Sequence, residues 1–305
     1  MKVLVTGAAG NLGRVLLPEL TQRGHEARAA DARPLETDAE FVQLDLRERS
    51  AAEAAVDSVD AIVHGAALHG VHVATREPHE FWDTNVEPTF TLLEAARAAG
   101  VSRFVLCSSM AVYGESAERT DDSWAIVTDE SPARPKDVYG LSKLLCEELA
   151  RYYARVHGVT GWALRLGMFV PETFERYGFR LLFGGVDDRD VAHAVMRALE
   201  VAPPGGFDTA NVMAATPLTD EDAAAVVRDP AAVVDRHWPG TSDLVAQRGL
   251  DLGELIWGWA LWRVEKAKRV LGYEPRHGFA EFLEAFRAGD EAYYPFAGLP
   301  QWGVD

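Results

Sequence analysis

The chain has 305 residues, of which 48% are hydrophobic, enough to bury a substantial core as one large domain or two small ones. Its 30 basic and 47 acidic residues leave a formal charge of −17, a field that repels nucleic acid and anionic membrane surfaces and favours a small-molecule partner. Two cysteines, Cys107 and Cys146, sit in apolar patterns and suggest neither a disulfide framework nor a zinc site, so a reducing cytoplasm is the expected setting. MKVLVTGAAG has no signal-peptide pattern and no apolar run reaches membrane-spanning length; the chain reads as soluble and unprocessed.

In chain order, an apolar run at Lys2–Thr6 leads into a glycine turn and an amphipathic helix from Leu12 to Arg23. Further strands are predicted at Ala27–Ala30, Phe41–Leu44, Ala61–His64, Arg103–Ser108 and Gly161–Leu166. Helices are predicted near Ser50–Val56, His79–Ala99 and Val138–His157. This alternation is the rhythm of parallel βαβ units, and six strands in this order predict an α/β, doubly wound parallel sheet. Beyond Leu166 the pattern loosens around Pro171, Gly178, Gly184 and Gly185, resumes in a helix at Arg189–Leu199, and breaks at Pro203-Pro204-Gly205-Gly206. We therefore divide the chain into a nucleotide-binding domain over 1–166 and a mainly substrate-binding lobe over 167–305, with 186–215 returning to the first domain. Helices near Asp220–Val227 and Val264–Leu271, a Trp-rich segment at Ile256–Trp262 and a tail with Pro295 and Pro300 complete the lobe. Trp257, Trp259 and Trp262 are assigned to packing or a subunit contact.

The turn Thr6-Gly7-Ala8-Ala9-Gly10-Asn11-Leu12-Gly13 follows the first strand and opens the first helix, the setting in which a glycine fingerprint carries meaning. Gly7 permits the tight turn, Gly10 lets backbone approach a pyrophosphate, and Gly13 lets helix pack on strand, while the helix N-terminus offers free N–H groups. Asp31, 24 positions after Gly7, ends the second strand, where a carboxylate accepts from adenosine ribose hydroxyls and repels a 2′-phosphate. NAD is thus favoured over NADP, although Arg33 could receive a 2′-phosphate. Asp45 and Leu46 follow the third strand, placed either to meet the adenine edge or simply to turn the chain.

Tyr139 and Lys143 are four residues apart, on one face of a helix. A nearby ammonium lowers a phenol's pKa, which would make Tyr139 a general base near neutrality, and Lys143 can also hold the nicotinamide ribose. Ser109 ends the fifth strand at the carboxyl edge of the sheet, where its hydroxyl could hold a reacting oxygen toward Tyr139 or merely cap the strand.

These motifs resemble the extended short-chain dehydrogenase/reductase family, also called the NAD-dependent epimerase/dehydratase family. The resemblance covers roughly residues 1–200 and rests on TGAAGNLG, Asp31, His64-Gly65-Ala66-Ala67, Asn85, SSMAVYG and YGLSK, with fainter traces in VDDRDVAHAV and KAKRVLGYEP. It implies a Rossmann domain with bound NAD, a small C-terminal substrate lobe, a Ser109/Tyr139/Lys143 triad and frequent homodimers. On the same basis, Asn11 and Leu12 join the glycines at the cofactor, Ala66 and Ala67 line its nicotinamide side, and Asn85 supports the active-site helix.

Sugar-nucleotide dehydratases of this family carry an Asp-Glu pair after the catalytic Ser/Thr, where this chain has Met110-Ala111. Neither side chain moves a proton, which argues against dehydration and leaves 4-epimerisation open. Only 20 residues separate Arg165 from Val186, too few for the long insertion with which nucleotide-sugar epimerases grip a nucleotide. That compact layout is similar to the uronate dehydrogenases, in which an arginine of this region binds the substrate carboxylate; Arg180, or else Arg176, matches it. The uronate enzymes have an Asn-His pair where Met110-Ala111 stands. His69 and His72, which leave the fourth strand toward the same pocket, are substrate-side candidates together with Ser109 and Met110, and no metal site is assigned. The resulting expectation is an NAD-dependent oxidoreductase acting on a sugar acid or aldose. The alternatives are a nucleotide-sugar 4-epimerase of the UDP-glucose type and a non-catalytic NAD-binding regulator, against which the complete triad speaks.

Overall fold

In the computed structural model, which describes residues 1–256 and 258–299, each short apolar run becomes a parallel strand. These are β1 (Lys2–Thr6), β2 (Glu26–Asp31), β3 (Glu40–Gln43), β4 (Ala61–His64), β5 (Arg103–Ser109), β6 (Ala125–Val127), β7 (Thr160–Leu166), β8 (Phe207–Val212) and β9 (Ala260–Trp262). Seven of them form one sheet in the order β3-β2-β1-β4-β5-β7-β8, all parallel, while β6 and β9 pair in a separate two-stranded sheet. The order reverses between β1 and β4, the switch point at which a doubly wound sheet opens a crevice at its carboxyl edge. Predicted strands account for six positions of the large sheet. The seventh, β8, begins right after the turn at Pro203–Gly206, which conceals a short strand behind a strong breaker signal.

Helices cover both faces of the sheet because its central strands are apolar on both sides. α1 (Asn11–Gln22) lies on one face; α2 (Arg49–Ala55), α3 (Pro78–Phe81), α4 (Glu87–Ala99) and α5 (Val138–His157) lie toward the other. Leu16, Leu20, Val3, Val5, Val63 and Trp162 belong to the first core, and Leu92, Leu93, Ile62, Phe104, Cys146 and Tyr153 to the second. The helix predicted at His79–Ala99 is interrupted by a wide turn at Trp82–Val86 that carries Asn85 on its buried side. Both α4 and α5 stop at a left-handed glycine, Gly100 and Gly158.

The remaining chain supplies α6 (Phe174–Arg180), α7 (Asp188–Glu200), α8 (Asp220–Arg228), α9 (Pro230–His237), α10 (Thr241–Gln247), α11 (Leu252–Leu255) and α12 (Phe279–Ala288). α7 packs against α1 and joins the sheet's core, as do Ala267, Leu271 and Tyr273 from far along the chain. A third, aromatic core gathers Phe174, Phe179, Phe279, Phe282 and Phe286 with Trp124 and Tyr294. Trp124 thus packs with residues of the C-terminal half of the chain. The segment predicted as a helix at Val264–Leu271 closes as a single wide turn over Ala267–Leu271. Trp257 and Pro300 lie outside the described residues.

Candidate active site

The glycine turn is shaped by the strand ends around it. Gly7 has φ +71, and a Cβ there would lie 2.6 Å from the Ala66 nitrogen, so only glycine lets the chain leave β4 across this loop. Gly10 caps α1 without any side-chain hydrogen bond, leaving the helix N-terminus open, and Gly13 lies against the Ala8 carbonyl. Leu12 points into the core, whereas the Asn11 amide donates weakly to the Phe169 carbonyl at 3.5 Å and its Oδ1 is buried without a partner. Asp31 Oδ2 accepts the Ala9 N–H at 2.9 Å and Oδ1 the Arg33 N–H at 2.9 Å, so the carboxylate braces the loop from the end of β2. An open helix N-terminus, an orphaned polar atom and an acidic strand end together fit a dinucleotide. Asp45 is gripped by Arg47, which holds its carboxyl below the usual range, and Leu46 is buried in the core beneath it.

After β4, Ala66 and Ala67 are half-buried and Ala66 donates to the Thr6 hydroxyl at 3.4 Å. The next residues are tied down by Asn85: its Oδ1 accepts the Leu68 N–H at 2.7 Å, and its Nδ2 donates to the Leu68 carbonyl at 3.0 Å and to the Ser142 hydroxyl at 2.9 Å. One amide therefore joins this loop to α5. His69 is exposed and its ring centroid is 6.4 Å from that of Tyr139. His72 is buried and turned inward, its Nδ1 accepting the His69 N–H at 2.8 Å.

The Asp137 carboxylate caps α5 by accepting the Gly140 N–H at 2.7 Å, which starts the helix just before Tyr139. A Cβ at Gly140 would lie 2.5 Å from the Ala111 carbonyl, so the missing side chain brings α5 close to the segment that follows Ser109. Tyr139, Lys143 and Ser109 are accordingly all buried beside one another, with a hydrogen bond between the Ser109 side chain and the phenol. The electrostatics differ from the sequence expectation. Burial pushes the Tyr139 phenol up to about 12, opposed by the Ser109 hydrogen bond, while Lys143 donates to the Cys107 carbonyl at 2.8 Å. Burial also lowers the Lys143 pKa, so desolvation disfavours the charged form of both groups, the phenolate and the ammonium.

Behind α5 stands a buried network that the motifs did not reveal. Ser108 donates to Glu147 Oε1 at 2.6 Å, Arg165 donates to both Glu147 oxygens and to the Tyr113 hydroxyl, and Tyr113 donates to Asn211 Oδ1 at 2.6 Å. Its signal was present: Glu147 repeats the Tyr139, Lys143 spacing one turn further along, a charge on the buried face of an amphipathic helix.

A cavity whose lining begins with Met110, the residue after Ser109, also includes Met168, Arg180, Phe183, Gly184, Gly258, Trp259, Ala260 and Trp262, but not Ser109, Tyr139 or Lys143. It thus unites Met110 and Arg180. Trp262 is buried, 5.7 Å from the ring of Tyr113, and Trp259 is exposed at the rim. Arg176 is on α6 with Arg180 but does not line this cavity. Arg180 is 2% exposed; its Nη1 donates to the Val170 carbonyl at 3.0 Å, whereas Nε and Nη2 are buried without a hydrogen-bond partner. Among the described residues no three His, Cys, Asp or Glu gather into a group able to hold a metal ion, and no helix is long and apolar enough to cross a membrane.

Comparison with known proteins bears on the same region. Uronate dehydrogenase from Pseudomonas syringae pv. tomato is 34% identical over 202 residues, 65% of this chain and 69% of that protein. UDP-glucose 4-epimerase from Corynebacterium glutamicum is 31% identical over 171 residues, 54% of this chain and 50% of the epimerase, so the match spans half of that relative's length. A solved short-chain dehydrogenase/reductase superfamily protein from Agrobacterium tumefaciens, with bound NAD, superposes with TM-score 0.72 at 26% identity, covering 96% of this chain and 98% of its own. A family model matches residues 3–180, more than half of the chain, and with the glycine turn, Asp31 and the buried Ser-Tyr-Lys group in place, the chain belongs to the NAD dependent epimerase/dehydratase family.

Proposed function

We propose that the chain is an NAD-dependent dehydrogenase of a sugar acid, with Ser109, Tyr139 and Lys143 as its catalytic residues and Arg180 as the carboxylate anchor. The observation that carries this reading is a buried guanidinium whose Nε and Nη2 make no hydrogen bond, with Glu172 Oε2 no nearer to Nε than 3.4 Å, in a residue that lines a cavity together with Met110, the neighbour of Ser109. A carboxylate fits the Nε/Nη2 edge with two parallel charge-assisted hydrogen bonds, and the apolar Trp262 and Met168 walls suit the C–H face of a sugar ring. When bound, NAD supplies a hydride acceptor and a positive charge near the phenol. Ser109 would hold the reacting hydroxyl, and Tyr139, after releasing its own proton to solvent, would accept the proton of that hydroxyl. Lys143 orients the ribose from its position under the Cys107 carbonyl. The residues Gly7, Gly10, Asn11, Gly13, Asp31, Asp45, Ala66 and Ala67 form the cofactor cradle, with residues 1–166 and 186–215 as its domain.

A second reading, a nucleotide-sugar 4-epimerase with retained NAD, draws on the likeness to UDP-glucose 4-epimerases and on an apolar Met110-Ala111 pair. Incubation with NAD and a panel of uronates, aldoses and UDP-hexoses separates the two. Accumulating NADH with a uronate supports the dehydrogenase, and UDP-glucose/UDP-galactose exchange without net NADH overturns it. A homodimer is part of the proposal, supported by exposed Phe90 on α4 and Leu141, Tyr152 and Val156 on α5, apolar groups on adjacent helices that self-association would cover. The two buried free thiols support a reducing, cytoplasmic setting.

A further inference from the structure

Arg180 is incompletely matched by what surrounds it. Its Nη1 is committed to the Val170 carbonyl, and the Nε–H and the Nη2 group on the same side of the guanidinium form the edge that receives a carboxylate in bidentate fashion. On that side Glu172 Oε2 approaches Nε at 3.4 Å, within ion-pair range, yet both atoms are buried and neither makes a hydrogen bond. The Glu172 side chain is 12% exposed. Arg176 is the other cation near Glu172, and Asp188 on α7 and Tyr294 are further ionisable groups that feel Arg180. Asp188 Oδ2 is likewise buried without a partner. The guanidinium is thus loosely neutralised by acids that do not bond to it well.

We propose that Glu172 is a specificity-determining residue: its carboxylate stands in for the substrate's at the Nε/Nη2 edge of Arg180, so an acidic sugar binds as Glu172 takes a proton from solvent and withdraws its charge. The inference rests on Arg180 being the carboxylate anchor. Two carboxylates and one guanidinium in a water-poor cavity cannot all stay charged at little cost, so one acid must be neutralised. Of the two buried acids near the guanidinium, Glu172 is the one within ion-pair range of Nε, and burial raises its pKa against the pull of Arg180 and Arg176.

The test is calorimetric. D-glucuronate is titrated at pH 8 into protein saturated with NADH, a complex that cannot oxidise it, in buffers of different ionisation enthalpy, which reports protons taken up per ligand bound. The wild type should take up close to one proton and Glu172→Gln close to none. Binding to Glu172→Gln at pH 8 should be about tenfold tighter, and the roughly tenfold loss of affinity per pH unit seen in the wild type should flatten. Glu172→Asp, which keeps the charge, should retain uptake and shows that the position tolerates change. Undiminished uptake by Glu172→Gln, or loss of uptake in Asp188→Asn instead, overturns the proposal. If Arg180→Met binds D-glucuronate as well as the wild type does, the anchor reading falls and this inference with it. Arg180-dependent binding without proton uptake removes only the role of Glu172.

Discussion

Arg165 donates from Nη2 to Glu147 Oε2 at 2.8 Å and from Nε to Glu147 Oε1 at 3.0 Å, a two-point clasp between β7 and the helix that carries Tyr139 and Lys143. Both side chains are buried, at 7% and 0% exposure, and Ser108, the neighbour of Ser109, donates to the same carboxylate. Removing one partner would strand a charge in the core. Glu147→Leu should therefore lower stability by roughly 3–5 kcal/mol, and pairing it with Arg165→Met should recover much of the loss. Urea denaturation of the two single variants and the double variant checks this; equal destabilisation in all three would contradict it.

Asp31 should make NAD bind more tightly than NADP, because its carboxylate would face the added phosphate dianion from a buried position. Asp31→Ser should narrow that preference and weaken NAD by about 1–2 kcal/mol, since it also unties the Ala9 N–H from the loop brace. Titration of both dinucleotides into each protein decides it, and tighter NADP binding by the wild type would shift attention to Arg33.

Tyr139→Phe should reduce turnover by a factor of 10² or more while leaving NAD affinity within about threefold, as it deletes one proton-carrying oxygen and no cofactor contact. Lys143→Met should impair both. Because burial pushes the phenol of the enzyme at rest up to about 12, kcat/KM of the wild type should climb with pH through the alkaline range. A flat kcat/KM from pH 7 to 10 would contradict Tyr139 as a base that must first lose its own proton.

Asp188 offers a stability test of opposite sign to the usual carboxylate. Burial, with Asp187 adjacent, raises its pKa to about 7 from a model-peptide value near 3.8, so the folded state binds the proton more tightly than the unfolded one. Its contribution is most favourable below about pH 4 and is lost as pH rises toward 7, by up to about 4 kcal/mol. Asp188→Asn should flatten that part of the profile and raise the melting temperature at pH 8 relative to the wild type. Differential scanning calorimetry between pH 4.5 and 8 provides the comparison.

The alternation of apolar runs with helical periods was enough to read six strands of the sheet and the helix bearing Tyr139 and Lys143, because those signals arise from local sterics and from which face must leave water. The glycine turn and Asp31 were legible for the same reason: positive φ and close backbone approach admit few residue types. Several features depended on long-range contacts. β8 is short and follows a turn, and it is a strand only because β7 offers it a partner edge. That Lys143 bonds to the Cys107 carbonyl, leaving the Tyr139 phenol to be governed by burial, follows from how closely α5 lies on β5, which helix spacing does not encode. Likewise Met110, Arg180 and Trp262 are scattered along the chain and line one cavity only once the chain has folded. The sequence by itself determined six strands in their succession along the chain, the glycine turn and the helix that carries Tyr139 and Lys143, since each is written in neighbouring residues. Only the tertiary structure decided their protonation and the lining of the cavity, since burial and charge pairing are set by residues distant in sequence that packing brings together.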